Sequence, residues 1–191
     1  MFTPLPSSAA WLHRDARTGF EVTYFREDAR GLLVEGCATA VEDGTVWAIE
    51  YRLRLDRSWH TRSAQIVGRY PAGRRTVHVQ SDGSGRWQVD GTPSPELDGC
   101  LDIDLEASAF TNALPVHRLG LAVGDAADAP AAYVRAADLT AARLPQHYRR
   151  IIDGIGQRYD YSAPGFDYRA ELGYDESGLI IDYPGLATRA A

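Results

Sequence analysis

Lysine is absent from this 191-residue sequence, and all 20 basic residues are arginine. Every mechanism that uses a lysine amine within the chain is therefore excluded: a Schiff base, a pyridoxal phosphate anchor, a P-loop lysine and the strand lysine of protein kinases. A coding bias towards arginine is the simplest explanation of this composition. Arginine itself can still bind carboxylate and phosphate groups through two parallel hydrogen bonds.

A basic excess is also absent. Twenty-six acidic residues outnumber the arginines and give a net charge of −6. The arginines are scattered among these acids, so we expect neither nucleic acid nor an anionic membrane surface as a partner. The sequence has only two cysteines, Cys37 and Cys100. Two thiols are too few for an all-cysteine zinc site or a disulfide-dense scaffold, and we expect both to be unpaired and buried.

Long apolar runs are missing as well. No stretch approaches 18 continuous apolar residues, so the sequence predicts no transmembrane segment. The first ten residues lack the charged and apolar regions of a secretory signal, and we therefore expect a cytoplasmic protein. The hydrophobic fraction of 45% is that of an ordinary globular protein, and with this length it predicts a single domain over residues 1–191.

Alternating segments between turn signals dominate what is present. Residues 47–55 alternate apolar and polar side chains, and Asp43-Gly44 separates them from the apolar segment 34–41, as in a type I′ hairpin. Similar patterns predict strands at 77–80, 87–90, 101–106, 117–123, 166–175 and 179–183. Roughly ten strands at intervals of 8–12 residues predict a mainly β protein, an antiparallel rolled sheet or half-barrel with few short helices.

Evidence for helices is limited to two segments. Residues 138–144 favour a short helix that begins at Asp138 as its N-cap. Residues 148–155 carry isoleucines at helical spacing after Pro145. The second segment is equally compatible with a strand that ends at Asp153-Gly154.

Asp102 and Asp104 form an Asp-x-Asp pair on a predicted strand. Two residues along a strand span about 6.6 Å, which overlaps the carboxylate separation of about 6.5–9.5 Å in inverting glycosidases. The same pair could hold a hard cation such as Mg²⁺ or Ca²⁺. The favoured interpretation is a polar strand face that pairs with arginines from neighbouring strands, while catalysis and metal binding remain alternatives.

The segment 110–119 is interpreted as a loop that enters a strand, because Pro115 favours an extended conformation of the preceding Leu114. Its polar side chains also suit a sugar or phosphate head group: Thr111, Asn112, His117 and Arg118. Trp59 and Arg62 offer a similar choice. Either Trp59 stacks on a sugar and Arg62 binds an anion beside it, or Trp59 belongs to the core and Arg62 pairs with a carboxylate at the surface.

Recognisable enzyme motifs are absent. The five histidines lie far apart, and neither a zinc-enzyme motif, a nucleophile elbow nor a dinucleotide-binding glycine motif occurs. We therefore expect no cofactor, no metal ion and no catalytic residue.

Taken together, these segments resemble the bacterial putative glycolipid-binding family, a domain of unknown function. The resemblance extends from about Trp11 to Arg189 and is carried by residues 59–62, 98–105, 110–115, 118–119, 146–148, 183–186 and 189. In the family pattern two arginines follow the Leu-Pro turn, and here His117 takes the first of these positions. The resemblance implies a rolled sheet around an apolar groove, similar to lipoprotein-carrier-like lipid binders. Those carriers work outside the cytoplasm, whereas this sequence begins without an export signal.

The leading hypothesis is a non-enzymatic protein that binds a glycolipid or another amphipathic acyl ligand. Apolar strand faces would hold the tail, and a polar set would meet the head group. The candidate ligand-binding residues are Trp59, Arg62, Asp102, Asp104, Thr111, Asn112, His117, Arg118, Gln146, Tyr148 and Tyr183.

Two alternatives come from other classes. The first is an enzyme that acts on a sugar- or lipid-like small molecule through Asp102, Asp104 and Arg118. The second is an interaction module, such as a homodimer joined through edge strands. In addition, we expect Arg62 and Arg118 to lie together in a buried polar network or at the rim of a pocket.

Overall fold

The computed structural model describes residues 2–151 and 156–191. The strands in chain order are β1 Ser8–His13, β2 Thr18–Asp28, β3 Gly31–Glu42, β4 Thr45–Leu55, β5 Thr61–Tyr70, β6 Gly73–Ser81, β7 Trp87–Val89, β8 Thr92–Pro93, β9 Asp102–Leu105, β10 Ala126–Asp128, β11 Ala131–Val134, β12 Ala141–Leu144, β13 His147–Ile151, β14 Gln157–Ala163, β15 Tyr168–Tyr174, β16 Ile180–Tyr183 and β17 Ala187–Arg189. The helix α1 covers Ala113–Leu119, and short 3₁₀ helices cover Pro95–Leu97, Phe110–Asn112 and Pro164–Phe166.

Fourteen strands form one large antiparallel sheet in the order β10-β13-β14-β15-β16-β17-β1-β2-β3-β4-β5-β6-β7-β8. The two ends of the chain meet inside it, where β1 pairs with β17 and Trp11 lies opposite Arg189. A small second sheet has the order β12-β11-β9, with β9 and β11 parallel. The large sheet does not close into a barrel within the described residues. The predicted mainly β, rolled antiparallel architecture with few short helices is confirmed.

The hairpin of β3 and β4 shows how the alternation becomes structure. Ile49, Tyr51 and Leu53 on β4 are buried, and the residues between them are more exposed. Asp43 and Gly44 have φ angles of 48° and 74°, the positive values that a type I′ turn requires. The predicted turns at 82–85, between β6 and β7, and at 176–178, between β15 and β16, are confirmed as well.

The segment 97–119 fills the roll of the large sheet. On one side, the Phe110 ring lies 5.1 Å from Phe25 of β2, and Thr61 of β5 accepts a hydrogen bond from the Ile103 amide. On the other side, the Tyr148 hydroxyl of β13 donates to Asn112. Residues from both sheets and α1 therefore share one apolar core. Among the described helices, none is long and apolar enough to cross a bilayer.

The predicted strand at 117–123 is wrong, because α1 continues to Leu119 and no strand follows before Ala126. The expected extended conformation before Pro115 is wrong for the same reason. Pro115 is the third residue of α1, where a backbone N–H has no acceptor within the helix, so the missing proton costs little. Gly120 ends the helix with a left-handed φ of 53°.

The predicted helix at 138–144 is also wrong. The Asp138 carboxylate accepts hydrogen bonds from the Thr140 amide and hydroxyl at 3.0 and 2.7 Å, which makes a tight turn before β12. The same side-chain chemistry that caps helices here caps a turn. For the ambiguous segment 148–155, residues up to Ile151 belong to β13. Asp153-Gly154 lies outside the described residues.

The two cysteines are both free, but they differ in environment. Cys100 is buried, as predicted. Cys37 is exposed, contrary to the prediction, because β3 presents it on the outer face of the large sheet between Val22 and Glu50 of the neighbouring strands. A thiol on this face is not part of the core.

Gly36 provides a test of the packing inside the roll. It lies opposite Tyr51, and a methyl group at Gly36 would come within 2.2 Å of the Tyr51 ring. The ring cannot move away easily, because its hydroxyl is hydrogen-bonded to Glu21. We expect Gly36→Ala to lower the free energy of unfolding by about 1–3 kcal/mol in urea denaturation. Gly173→Ala is the control, since its new methyl meets open space. Equal effects of the two variants would contradict this packing.

Candidate functional site

A cavity of about 250 Å³ lies where the small sheet faces β14, β15 and β16. It opens at the surface beside the exposed Ala16 and Phe166. The lining residues are Ala16, Arg17, Glu42, Asp104, Leu105, Glu106, Ser108, Asn112, Tyr133, Leu144, Tyr161, Ala163, Phe166, Tyr168, Tyr183 and Leu186. Aromatic rings, acidic side chains and an arginine thus meet in one concave space.

Three tyrosines on adjacent strands form the aromatic wall of the cavity. The ring centres of Tyr161, Tyr168 and Tyr183 lie 5.9–6.2 Å from one another, in tilted and edge-to-face arrangements that aromatic side chains prefer. The Tyr168 hydroxyl donates to the Pro184 carbonyl at 2.6 Å, which fixes its ring. A wall of this kind combines an apolar surface with hydroxyl groups.

Asp104 contributes a buried carboxylate to the cavity. Its two oxygens accept hydrogen bonds from the Thr111 hydroxyl at 2.9 Å and the Gln146 amide at 2.7 Å. Burial raises the pKa of Asp104 to about 6, although both hydrogen bonds favour the ionised form. Gln146 also donates to the Tyr161 hydroxyl at 2.9 Å, so the carboxylate and the aromatic wall are held by one amide.

The opposite wall carries Glu106 and Arg17. The Glu106 carboxylate accepts a hydrogen bond from the Ala136 amide at 2.6 Å. The Arg17 guanidinium lies over the Trp47 ring, 5.4 Å from its centre, and its Nε is 3.7 Å from the Glu42 carboxylate. The Arg17 Nη1 is buried and has no hydrogen-bond partner within residues 2–151 and 156–191.

A fully buried carboxylate, Glu21 of β2, supports the wall from behind. One oxygen accepts hydrogen bonds from the Tyr51 and Ser108 hydroxyls, both at 2.5 Å, and the other accepts from the Ala109 amide at 2.7 Å. Burial raises the pKa of Glu21. These bonds attach the segment after β9, which includes the cavity residue Ser108, to the large sheet.

The structure divides the eleven predicted site residues into separate groups. Three line the cavity: Asp104, Asn112 and Tyr183. Three others hold these from behind by hydrogen bonds or packing: Thr111, Gln146 and Tyr148. The remaining five do not line the cavity: Trp59, Arg62, Asp102, His117 and Arg118.

Asp102 and Arg118 form a bidentate ion pair with N–O distances of 3.0 and 2.6 Å. Asp102 is almost fully buried. It does pair with an arginine, as predicted, although the arginine comes from α1 rather than from a neighbouring strand. Nearby, the Trp59 ring stacks on His117 at 3.6 Å with an interplanar angle of 9°. Burial lowers the pKa of His117 to about 4, which leaves the imidazole neutral at pH 7.

Arg62 and Arg118 do not share a buried network. Arg62 is exposed and lies 3.7 Å from Asp56, whereas Arg118 is bonded to Asp102. Neither residue reaches the cavity rim. The described part of the chain holds no cluster of three or more histidine, cysteine or acidic side chains that could bind a metal ion.

The sequence interpretation missed several cavity residues: Arg17, Glu106, Ser108, Tyr133, Tyr161 and Tyr168. One signal for the tyrosines was available, because six of the ten tyrosines lie at position 148 or later. Arg17 gave no such signal. Its burial depends on the contacts with Trp47 and Glu42, which local sequence does not specify.

Comparison with known proteins places the chain in a family. A family model described as putative glycolipid-binding matches residues 8–189. The chain belongs to this family. A similar solved structure is the crystal structure of a DUF1089 family protein from Pseudomonas aeruginosa, whose sequence is 38% identical to this chain. The two structures align with a TM-score of 0.76 over 89% of this chain and 92% of that chain.

A second solved structure shares the fold at low sequence identity. It is a β-barrel-like protein of the domain of unknown function DUF1849 from Brucella abortus, with a TM-score of 0.58 and 12% identity. The alignment covers 99% of this chain and 96% of that chain. No curated protein matches the sequence.

The raised pKa of Asp104 predicts a pH-dependent stability. The fold favours the neutral acid, so this contribution is complete below about pH 3.8 and is lost as the pH rises through about 6. Relative to Asp104→Asn, we expect the wild type to lose up to about 3 kcal/mol of unfolding free energy over this range. Denaturation at a series of pH values measures the difference.

Asp82 provides a control of opposite sign. Hydrogen bonds from Ser84 and its backbone lower the pKa of this exposed carboxyl. Its stabilising effect is therefore present above its ordinary pKa and lost as the pH falls, and Asp82→Asn is less stable than the wild type at neutral pH. A pH-independent difference between Asp104→Asn and the wild type would be evidence against the buried acid.

The ion pair of Asp102 and Arg118 is expected to stabilise the fold. Asp102→Ala leaves the guanidinium without its carboxylate in a largely buried position, and we expect a loss of about 3–5 kcal/mol in chemical denaturation. Glu35→Ala removes the exposed pair with Arg52 and should cost at most about 1 kcal/mol. Comparable losses in the two variants would refute a structural role for the buried pair.

Proposed function

We propose that the cavity binds the sugar head group of a glycolipid or a related amphipathic ligand without converting it chemically. The observation that carries this proposal is the tyrosine wall facing the carboxylates of Asp104 and Glu106. Aromatic rings pack on the apolar face of a sugar, and carboxylates accept hydrogen bonds from its hydroxyls. Membership of the putative glycolipid-binding family and the barrel-like fold support a binding role.

The size of the cavity favours a head group over a whole lipid. Its volume of about 250 Å³ is slightly below the range of about 300–1,000 Å³ that is typical of pockets for drug-sized ligands. Leu144, Phe166 and Leu186 also belong to its lining, and Phe166 is exposed at the surface. In this proposal the sugar enters the cavity and the acyl chain lies along these apolar side chains.

The enzyme alternative requires Asp102, Asp104 and Arg118 to face one ligand, and the structure does not bring all three to the cavity. Asp102 and Arg118 are bonded to each other, and neither lines the cavity. Asp104 is the only member of that set that reaches a ligand in this proposal. The homodimer and the cytoplasmic location stay predictions.

Binding of n-octyl β-D-glucoside, measured by isothermal titration calorimetry, tests the proposal. Ala16 lies exposed at the cavity mouth, so Ala16→Trp should block entry without disturbing the core and weaken binding at least tenfold. Ala126→Trp adds the same side chain at an exposed site on β10, away from the cavity. Wild-type binding in both variants, or no binding to the wild type, would overturn the proposal.

A further inference from the structure

Arg17 is a charged side chain in the cavity wall that the proposed sugar contacts do not use. Its side chain is only 6% exposed. The 3.7 Å from its Nε to Glu42 is beyond hydrogen-bond length. The other oxygen of Glu42 is occupied by the indole N–H of Trp47 at 3.1 Å. Burying a charged donor such as Nη1 without an acceptor is costly, so a ligand that supplies the acceptor would recover that cost.

A second buried nitrogen in the same region, on an imidazole that is neutral at pH 7, also lacks a partner in the described part of the chain. The Nδ1 of His13 is buried and has no hydrogen-bond partner in the described ranges. Burial, and to a lesser extent the positive charge of Arg17, lower the pKa of His13 to about 4. His13 Nδ1 at the end of β1 and Arg17 Nη1 in the following turn therefore both lack hydrogen-bond partners among the described residues.

A small recess beside the cavity is lined by both of these residues. Its volume is about 20 Å³, and it shares several lining residues with the cavity, among them Arg17, Glu106 and Ser108. This volume is enough for about one water-sized group. One oxygen atom of a ligand therefore fits in this recess, which Arg17 and His13 both line.

The acidic side chains of the cavity already have donors of their own. Asp104 is bonded to Thr111 and Gln146, and Glu106 accepts from the Ala136 amide. Glu42 is the acid closest to Arg17 and is bonded to Trp47. Glu106 also lines the recess, yet among the residues that the structure describes the Arg17 Nη1 has no acceptor there. A negatively charged oxygen satisfies a guanidinium better than a neutral one.

We propose that Arg17 and His13 form an anion subsite, so that the ligand is an amphiphile whose head group carries a carboxylate or a phosphate. This inference rests on the proposed function of the cavity and names the class of its ligand. An oxygen of the anionic group occupies the recess, the remainder of the head group lies against the tyrosine wall, and the acyl chain leaves past Phe166.

A matched pair of ligands tests the subsite. n-Octyl β-D-glucuronide and n-octyl β-D-glucoside differ only in a carboxylate in place of a hydroxymethyl group, and n-octyl phosphate supplies the phosphate arm. We expect at least one anionic ligand to bind the wild type about tenfold or more tightly than the glucoside in calorimetry. The preferred arm identifies the anionic group. Equal affinities for all three ligands would overturn the subsite and leave the cavity proposal intact, whereas no binding of any ligand would refute the cavity proposal itself.

The variant Arg17→Gln should abolish the preference for the anionic ligand, so that the glucuronide and the glucoside bind this variant with equal affinity. Arg14→Gln is the control, because it removes the same charge from an exposed neighbour that does not line the cavity. Circular dichroism establishes that both variants fold. A preference that persists in Arg17→Gln would contradict the assignment.

His13 gives a readout in the unmodified protein, so the test does not depend on the folding of a variant. A bound anion favours the protonated imidazole, and NMR titration should show that the anionic ligand raises the pKa of His13 from about 4. The glucoside should leave it unchanged. An unchanged pKa at saturating anionic ligand would exclude His13 from the subsite.

Discussion

The attachment of the segment 97–119 to the inside of the large sheet is the constraint on which the cavity depends. The carboxylate of Glu21 on β2 accepts hydrogen bonds from Ser108 and from the Ala109 amide, and thereby fixes the chain just after β9. Because β9 carries Asp104 and leads into Glu106, the same bonds hold these two acids of the cavity in place. A buried carboxylate is costly on its own, and here each oxygen has at least one donor.

Most of the strand pattern could be predicted from the sequence, because alternation and turn chemistry are local properties. Asp43-Gly44 is an example, since its positive φ angles follow from the residue types. The helix at 113–119 could not be predicted in this way. A proline before an apolar stretch is compatible both with an extended entry to a strand and with the first turn of a helix. Burial of Leu114 and Val116 in the core decides between them.

The candidate site was only partly predictable for a related reason. Asp104, Asn112 and Tyr183 belong to the segments that carry the family resemblance, and the structure brings them to one cavity. Trp59, Asp102 and Arg118 belong to the same segments but do not reach the cavity. Trp59 stacks on His117, and Asp102 pairs with Arg118. Arg17 lies outside them and becomes part of the site through contacts with Glu42 and Trp47 on β3 and β4. Long-range pairing of this kind leaves no local sequence pattern.

The central claim is that the cavity receives the head group of an amphipathic ligand. A crystal structure of the protein grown with n-octyl β-D-glucuronide tests this claim most directly. The account predicts electron density for the sugar ring between Asp104 and the wall formed by Tyr161, Tyr168 and Tyr183, with the octyl chain beside Phe166. Ordered ligand on the outer face of the large sheet, with the cavity filled only by water, would contradict it.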